Sequence, residues 1–266
     1  MSAGCTICGG GTVAEIFRAT ILGKHNVAFN RCGACGFIST EKPYWLDEAY
    51  SQAITKADVG LVQRNMRRIP IIQALIGTSF RGDGRFVDYG GGYGLFVRMM
   101  RDRGFDFYRY DRHCENLFAE GFEANGDSGG FELVTAMELF EHLVDPVAEV
   151  EQMLRFSRSI FFTTELVPDP PPAPGDWWYY GLDHGQHVSF YTKQSLTALA
   201  RRLGLRLYSD GKRRHLLTER KISPILFRLA TTYKSAIFLA PFFRRTCLVP
   251  DDYLRVTGHS QKGTNL

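Results

Sequence analysis

The chain has 266 residues, of which 44% are hydrophobic and 23% are charged, and its formal net charge is +4. This length can bury a full core, so we expect one main domain with smaller attachments. The modest net charge gives no support for a nucleic-acid partner. The sequence has no run of about eighteen uncharged apolar residues, so no membrane span is predicted. The first residues also lack the pattern of a secretory signal, so the cytoplasm is the expected location.

Two Cys-x-x-Cys pairs mark the beginning of the chain. Cys5 and Cys8 form the first pair, and Cys32 and Cys35 form the second. A glycine follows each pair and suits a tight knuckle around a metal ion. Disulfides would conflict with a cytosolic setting, and a redox motif would not occur twice at this spacing. We therefore predict a structural zinc ribbon over residues 1–40 whose four ligands are these thiolates.

Alternating strands and helices are expected after the ribbon. An aromatic connector leads to a predicted helix from Val59 to Ile76. The main core is then expected within residues 41–220, with a weak strand near 121–124 among its elements. A C-terminal helical extension is expected over 221–266.

The strongest motif is a short strand, a glycine turn and a helix. The strand ends in Asp88, and Gly90, Gly92 and Gly94 follow it. Glycines allow positive φ and let the backbone approach a ligand. A helix expected to begin near Tyr93 offers free N–H groups to an anion such as a carboxylate. The motif alone fits several nucleotide-binding folds, and also a glycine turn without a ligand.

Two later segments narrow this choice. A second short strand ends near Asp111, about where a doubly wound sheet places a carboxylate for ribose hydroxyls. A further strand over 133–137 leads into Glu138, and Asp145 with Pro146 predicts the start of a helix. The glycines follow G-x-G-x-G and not the G-x-G-x-x-G of nicotinamide-dependent dehydrogenases, which disfavours that class.

Taken in order, these motifs resemble those of the class I S-adenosylmethionine-dependent methyltransferases, namely a D-x-G-x-G-x-G loop, an acid-ended second strand and an E-x-x-E-H-L-x-D-P segment. The resemblance extends from about Phe86 to Glu219, with Tyr89 where many members have a small or aliphatic residue. It implies an α/β fold with a doubly wound, Rossmann-like, seven-stranded sheet between the zinc ribbon and the helical extension. It also implies cofactor contacts: Asp88 with the ammonium group, Gly90, Gly92 and Tyr93 with the methionine part, Asp111 with the ribose, Arg112 with the adenine, and Met137 and Glu138 with the reacting end.

The acceptor side is expected in a long insertion after the fifth strand. This insertion combines aromatic rings, carboxylates and histidines, a mixture that can shape a water-poor pocket and supply a general base. The alternatives are that the aromatic rings only pack together and that His187 bonds to backbone. His142, outside the insertion, is expected to be a packing residue. The candidate catalytic residues are Glu165, Tyr179, His184 and His187.

The same insertion, together with the cysteine ribbon, resembles a subgroup of bacterial methyltransferases linked with sugar modification. This resemblance implies a small-molecule or saccharide acceptor, with O- and C-methylation both open. Two alternatives remain: an RNA methyltransferase whose ribbon grips RNA, and a non-catalytic scaffold that binds the cofactor. The few positive charges of the ribbon disfavour RNA.

The end of the chain predicts a hairpin followed by a helix. Asp210 and Gly211 suit the turn of an antiparallel hairpin within 205–219. Apolar residues over 225–240 recur at helical spacing, and Pro241 is expected to end that helix. Its apolar face is expected to pack on the core or on a second subunit, with contact at a membrane surface as the alternative. The sequence does not indicate the oligomeric state.

Overall fold

The computed structural model describes residues 4–51, 59–126 and 129–260. The chain divides into two compact units, each built from separate segments. Unit 1 contains Met1–Asp58, Ala136–Leu154 and Ser159–Lys221, and unit 2 contains Val59–Thr135, Arg155–Arg158 and Ile222–Leu266. The first three residues of the predicted ribbon and the last six of the predicted extension lie outside the described residues.

Strands and helices alternate through the middle of the chain. The strands are β1 (Val13–Ile21), β2 (His25–Cys32), β3 (Ile38–Thr40), β4 (Arg85–Tyr89), β5 (Asp106–Tyr110), β6 (Leu133–Met137), β7 (Ser159–Thr163), β8 (Ser189–Phe190), β9 (Arg206–Ser209) and β10 (Arg214–Thr218). The α-helices are α1 (Leu46–Ala49), α2 (Leu61–Ser79), α3 (Leu95–Asp102), α4 (Pro146–Met153), α5 (Lys193–Arg202), α6 (Pro224–Thr231), α7 (Tyr233–Leu239) and α8 (Val249–Thr257). Short 3₁₀ turns occupy Phe140–His142, Trp178–Tyr180 and Ala240–Phe243.

The main sheet has the strand order β5-β4-β6-β7-β10-β9. Strand β4 pairs in parallel with β5 and β6, whereas β10 is antiparallel to β7 and β9. The predicted α/β class is therefore confirmed. The described residues contain six strands of this sheet where seven were expected: near 121–124 only a bridge between Arg109 and Glu123 forms. Gly121 is the first residue of this segment, and its φ of +83° is not that of an extended strand. The stretch that could pair as a strand is therefore short.

A second sheet begins at the N-terminal ribbon and ends in the insertion. Its order is β1-β2-β3-β8, and β3 pairs with β8 through Ile38–Phe190 and Ser39–Ser189. Trp177 and Tyr180 are buried in one hydrophobic cluster with residues of β1, β2 and α1. The insertion's aromatic rings thus form the core beneath the ribbon, except for Trp178, which is 72% exposed.

Several helix boundaries differ from the predicted ones. Helix α3 begins at Leu95, not at Tyr93, because Gly94 adopts φ of +85° and interrupts the helix there. The predicted C-terminal helix is divided into α6 and α7 at Thr232, whose backbone is extended with ψ of 121°. Pro241 lies inside the following 3₁₀ turn. By contrast, Asp145 caps α4 as expected, since its side chain accepts from the N–H of Ala148.

Helices α6 and α7 leave several large apolar side chains exposed. Ile225 and Phe238 are examples, and Phe242 in the following turn is exposed as well. Within the described ranges, none of the helices combines the length and the apolar character that a membrane span needs.

Candidate functional site

The glycine loop of unit 2 is joined to the end of the neighbouring strand. Gly90 has φ of +70°, and its N–H donates to the carbonyl of Tyr110 at 2.8 Å. Gly92 has φ of +55°, and its N–H donates to Oδ2 of Asp111 at 2.9 Å. Glycine is required here because other residues rarely adopt these backbone angles. The loop and the predicted ribose-binding carboxylate are therefore in direct contact.

The Asp111 carboxylate is held rigidly. Its Oδ1 accepts from the N–H of His113 at 2.8 Å and from the N–H of Cys114 at 2.9 Å. A carboxylate has about four acceptor positions, so these contacts and the one from Gly92 leave capacity for a further donor. A Cβ placed on Gly92 would meet nothing within 4 Å, so the space beside this loop is open. An open space next to a fixed carboxylate fits a ligand that carries hydroxyl groups.

Asp88 is buried behind the same loop. Its Oδ1 accepts a hydrogen bond of 2.6 Å from the hydroxyl of Thr135. Burial raises the pKa of Asp88 to about 7, although the Thr135 hydrogen bond and the charge of Arg68 act to lower it. The side chain can therefore change its charge near neutral pH.

The other predicted cofactor residues of unit 2 flank the loop. The carbonyl of Tyr93 accepts from the N–H groups of Leu117 and Phe118. Arg112 is exposed, and its Nε donates to the Tyr110 hydroxyl at 2.9 Å. Arg109 was not predicted from the sequence. Its buried guanidinium donates to the carbonyls of Gly92 and Cys114, and these bonds hold the glycine loop in place.

Met137 and Glu138 lie in unit 1, immediately after the residues that pair β6 with β4. Glu138 has φ of +50°, an unusual value for a residue with a side chain. Its N–H donates to Oγ1 of Thr163 at 2.9 Å, and the Thr163 hydroxyl donates back to the Glu138 carboxylate. Strained backbone of this kind clusters at functional sites.

Unit 1 also contains a compact polar cluster formed by Glu141, His142 and His187. One ligand-type atom from each lies within 4.8 Å of the others. The His142 and His187 rings are 4.9 Å apart between centroids, and the His184 ring is 4.7 Å from that of His187. Tyr50 contributes its hydroxyl, which lies 2.8 Å from Nδ1 of His142.

Burial keeps this cluster uncharged. Glu141 is 1% exposed, and its pKa is raised to about 8 by burial and by the charge of Glu138. Burial lowers the pKa of His187 to about 4 and the pKa of His142 well below its usual value. Burial also raises the pKa of Tyr179 well above 10. At neutral pH these groups are thus a carboxylic acid, two neutral imidazoles and a phenol.

The structure brings together three of the four predicted catalytic residues. Tyr179 and His184 both lie against His187. The side chain of Glu165 forms an ion pair with Arg213, whereas its backbone lies beside the Tyr179 hydroxyl. Sequence reasoning missed Glu141, and it treated His142 as a packing residue. The adjacent residues Glu141 and His142 were the available signal for a polar cluster. Their closeness to the insertion could not be predicted from the spacing of residues in the sequence.

The four ribbon cysteines form a second cluster in unit 1. The sulfur atoms of Cys5 and Cys35 are 3.7 Å apart, as are those of Cys8 and Cys32. Four sulfurs about 2.3 Å from a tetrahedral Zn²⁺ would be roughly 3.8 Å from one another. These two distances match a zinc site, and all four sulfurs lie within 4.8 Å of one another.

Comparison with known proteins adds a family assignment. The family model described as a methyltransferase domain matches residues 62–210. No curated protein sequence matches the chain.

Solved structures resemble the chain only distantly. TnmH shares 18% identity with a TM-score of 0.46, over 67% of this chain and 62% of its own. OxaC, solved with SAH and oxaline, shares 18% with a TM-score of 0.47, over 66% of this chain and 54% of its own. The mitomycin 7-O-methyltransferase MmcR shares 14% with a TM-score of 0.42, over 66% of this chain and 60% of its own. The chain thus spans less than two thirds of the length of these proteins.

The matched residues contain the glycine loop, Asp111 and the Glu-His dipeptide, and they make up more than half of the sequence. On this match the chain belongs to the methyltransferase-domain family, as the class I motifs predict.

Proposed function

We propose that this protein is an S-adenosylmethionine-dependent methyltransferase that acts on a small-molecule or saccharide acceptor. The observation that carries the proposal is the contact between the Gly92 N–H and Asp111, beside open space and within the matched domain. When bound, S-adenosylmethionine supplies an electrophilic methyl group on a sulfonium sulfur.

The residues around the loop suit the parts of this cofactor. A hydroxyl of the ribose diol can donate to the remaining acceptor position of Asp111. An ammonium group would be attracted by an ionised Asp88, and the open backbone at Gly90, Gly92 and Tyr93 suits an amino-acid tail. We assign Arg112 to the adenine, and Met137 and Glu138 to the reacting end.

We assign the acceptor chemistry to the polar cluster of unit 1. The Nδ1–H of neutral His187 donates to the Tyr179 carbonyl at 2.6 Å, so its Nε2 carries the free lone pair. In His184, Nδ1 accepts from the N–H of Gln186 at 3.1 Å, so its Nε2 carries hydrogen and can donate. His187 is therefore the candidate proton acceptor, while His184 and Tyr179 are candidate donors to an acceptor oxygen. Glu165, held by Arg213, is the candidate that binds a further acceptor hydroxyl.

We further propose that Cys5, Cys8, Cys32 and Cys35 hold a structural zinc ion. All four thiols are unbridged, which suits a reducing compartment such as the cytoplasm.

The ribbon surface does not favour the RNA alternative. Arg18 forms ion pairs with Glu15 and Glu41, and Lys24 forms one with Glu48. Cations paired in this way offer little attraction for phosphate groups.

Calorimetry with S-adenosylhomocysteine tests the proposal. Wild type should bind, Asp111→Ala should weaken binding at least tenfold, and Asp83→Ala, an exposed acid of the same unit, should leave it unchanged. Absence of binding by wild type at millimolar ligand would refute the proposal. Tight binding without transfer of a labelled methyl group to any sugar or phenol in a panel would favour the scaffold alternative.

A further inference from the structure

We infer that Glu141, His142 and His187 form a binding site for a divalent first-row transition-metal ion, in addition to the four-cysteine cluster. Each of the three side chains offers one ligand-type atom, and these atoms lie within 4.8 Å of one another. Ligands about 2.0–2.2 Å from such an ion lie roughly 3–3.5 Å apart, so binding would draw the side chains together by about an ångström.

The Glu141 carboxyl group gives an independent reason for an ion. Both of its oxygens are buried, and within the described residues neither has a hydrogen-bond partner. The hydroxyls of Tyr179 and Thr164 lie nearby, and one of them donates to the other at 3.1 Å, so at most one hydroxyl hydrogen is left for two carboxyl oxygens. A buried polar group without a partner is costly and calls for an explanation. A cation between Glu141 and the two histidines would remove this cost.

The histidines are oriented as metal ligands usually are. Nδ1 of His187 donates to a backbone carbonyl, and Nδ1 of His142 lies 2.8 Å from the Tyr50 hydroxyl. Nε2 of His187 therefore keeps its lone pair, and the His142 ring is held both by Tyr50 and by the backbone of Gln186. A partner on the second ring nitrogen fixes both the tautomer and the direction of a metal-binding imidazole.

The backbone around the cluster is held in place from two sides. Two hydrogen bonds join the insertion to the 3₁₀ turn at Phe140–His142. The N–H of Val188 donates to the carbonyl of Glu141 at 2.8 Å, and the hydroxyl of Tyr191 donates to the carbonyl of Phe140 at 2.9 Å. Ser189 adds a bond of 2.6 Å to the carbonyl of Leu143. The turn and the loop that supply the ligands are therefore fixed relative to each other before an ion arrives.

The donor set defines the class of ion. Two imidazoles and one carboxylate suit Zn²⁺, Fe²⁺, Co²⁺ or Mn²⁺ and leave coordination positions open. Water or an acceptor oxygen could occupy them, and a bound hydroxyl would have a lowered pKa. With the ion bound, the Nε2 lone pair of His187 is a metal ligand, so this lowered pKa would replace His187 as the means of removing the acceptor proton. This role for the open positions rests on the proposed methyl transfer, whereas binding of the ion does not.

Titration of the full-length, zinc-loaded protein with Co²⁺ tests the inference. Cobalt on nitrogen and oxygen ligands gives visible d–d absorption, and exchange at the cysteines would be seen separately as thiolate charge-transfer absorption. Wild type should bind about one Co²⁺ without charge-transfer bands. Glu141→Gln and His187→Ala should weaken this binding at least tenfold, and His184→Ala, which alters the adjacent imidazole, should change it less than about threefold.

Glu141→Gln replaces the neutral acid by an amide of nearly the same shape, so the variant should fold. Its melting temperature without metal, compared with that of wild type, checks this. Co²⁺ should raise the melting temperature of wild type but not that of Glu141→Gln. The inference is overturned if wild type binds cobalt only with charge-transfer absorption, or if Glu141→Gln binds as tightly as wild type. Neither result depends on methyl transfer, so the proposed function stands or falls separately.

Discussion

Thr135 donates a hydrogen bond of 2.6 Å to Asp88 where strands β6 and β4 lie side by side. The contact stabilises a carboxylate that burial would otherwise keep protonated, and the balance brings the pKa of Asp88 to about 7. A buried acid that titrates near neutral pH gives the glycine loop a pH dependence that can be measured.

Affinity for S-adenosylhomocysteine should fall as pH decreases from 8 to 6. Protonation of Asp88 removes the negative charge that we assign to the ligand ammonium. Calorimetry across this range should show the decrease in wild type and a flat, weaker affinity in Asp88→Asn. Equal pH dependence in the two proteins would show that another group is responsible.

The unliganded protein should respond to pH in the opposite direction. The folded-state pKa of Asp88 lies above its unfolded value, so its contribution to stability is complete below about pH 4 and is lost as pH rises through about 7. In urea denaturation, the decline in unfolding free energy between pH 4 and pH 7 should be smaller in Asp88→Asn than in wild type. The assignment fails if the substitution leaves this slope unchanged.

Gly92→Ala should impair binding more than stability. The added Cβ meets no protein atom within 4 Å but enters the space that we assign to the ligand, while its positive φ costs about 1–2 kcal/mol. Gly204→Ala is the matched control, since Gly204 has φ of +68° and an equally open Cβ position. Both variants should lose similar stability, and only Gly92→Ala should lose affinity for S-adenosylhomocysteine.

Cys8→Ser should release the zinc ion and lower the melting temperature. Metal analysis of wild type should find about one zinc at the cysteines, and the variant should retain little of it, because structural zinc contributes directly to folding free energy. Cys247→Ser, which changes an exposed cysteine outside the ribbon, should behave as wild type. Full zinc content in Cys8→Ser would remove the ribbon assignment.

Asp252→Ala should destabilise unit 2 by about 3–5 kcal/mol, because it leaves the buried Arg101 guanidinium without its main partner. Arg101 donates to both oxygens of Asp252, at 2.6 and 2.8 Å, and joins α3 to α8. Urea denaturation measures the loss. Asp251→Ala, at the exposed neighbouring position, should change stability by less than about 1 kcal/mol, and equal losses would contradict this account.

The local motifs were predictable from sequence because each depends on a few neighbouring residues. Examples are the glycine turn, the Asp145 cap and the two cysteine knuckles. Each of them needs only a backbone conformation or a side chain that a single short segment supplies. The direct contact between Gly92 and Asp111 was not predicted, but it agrees with the expectation that both residues follow parallel strands, which end at the same edge of a sheet.

The errors arose where distant segments meet. Nothing in the spacing of Trp177 and Tyr180 indicates that they pack beneath the ribbon, since aromatic residues serve a core and a pocket equally well. The unpartnered carboxyl of Glu141 also depends on burial by the insertion, which lies far along the chain. The split at Thr232 was missed because α6 and α7 share one apolar spacing across the break.

The pairing of Ile38 with Phe190 makes the amino-terminal segment a scaffold for the loop that carries His184 and His187. A shortened protein that starts at the methyltransferase domain would expose the edge of β8 and the rings of Trp177 and Tyr180 to water. Such a truncation should aggregate, so expression of the domain alone is a poor route to an active enzyme.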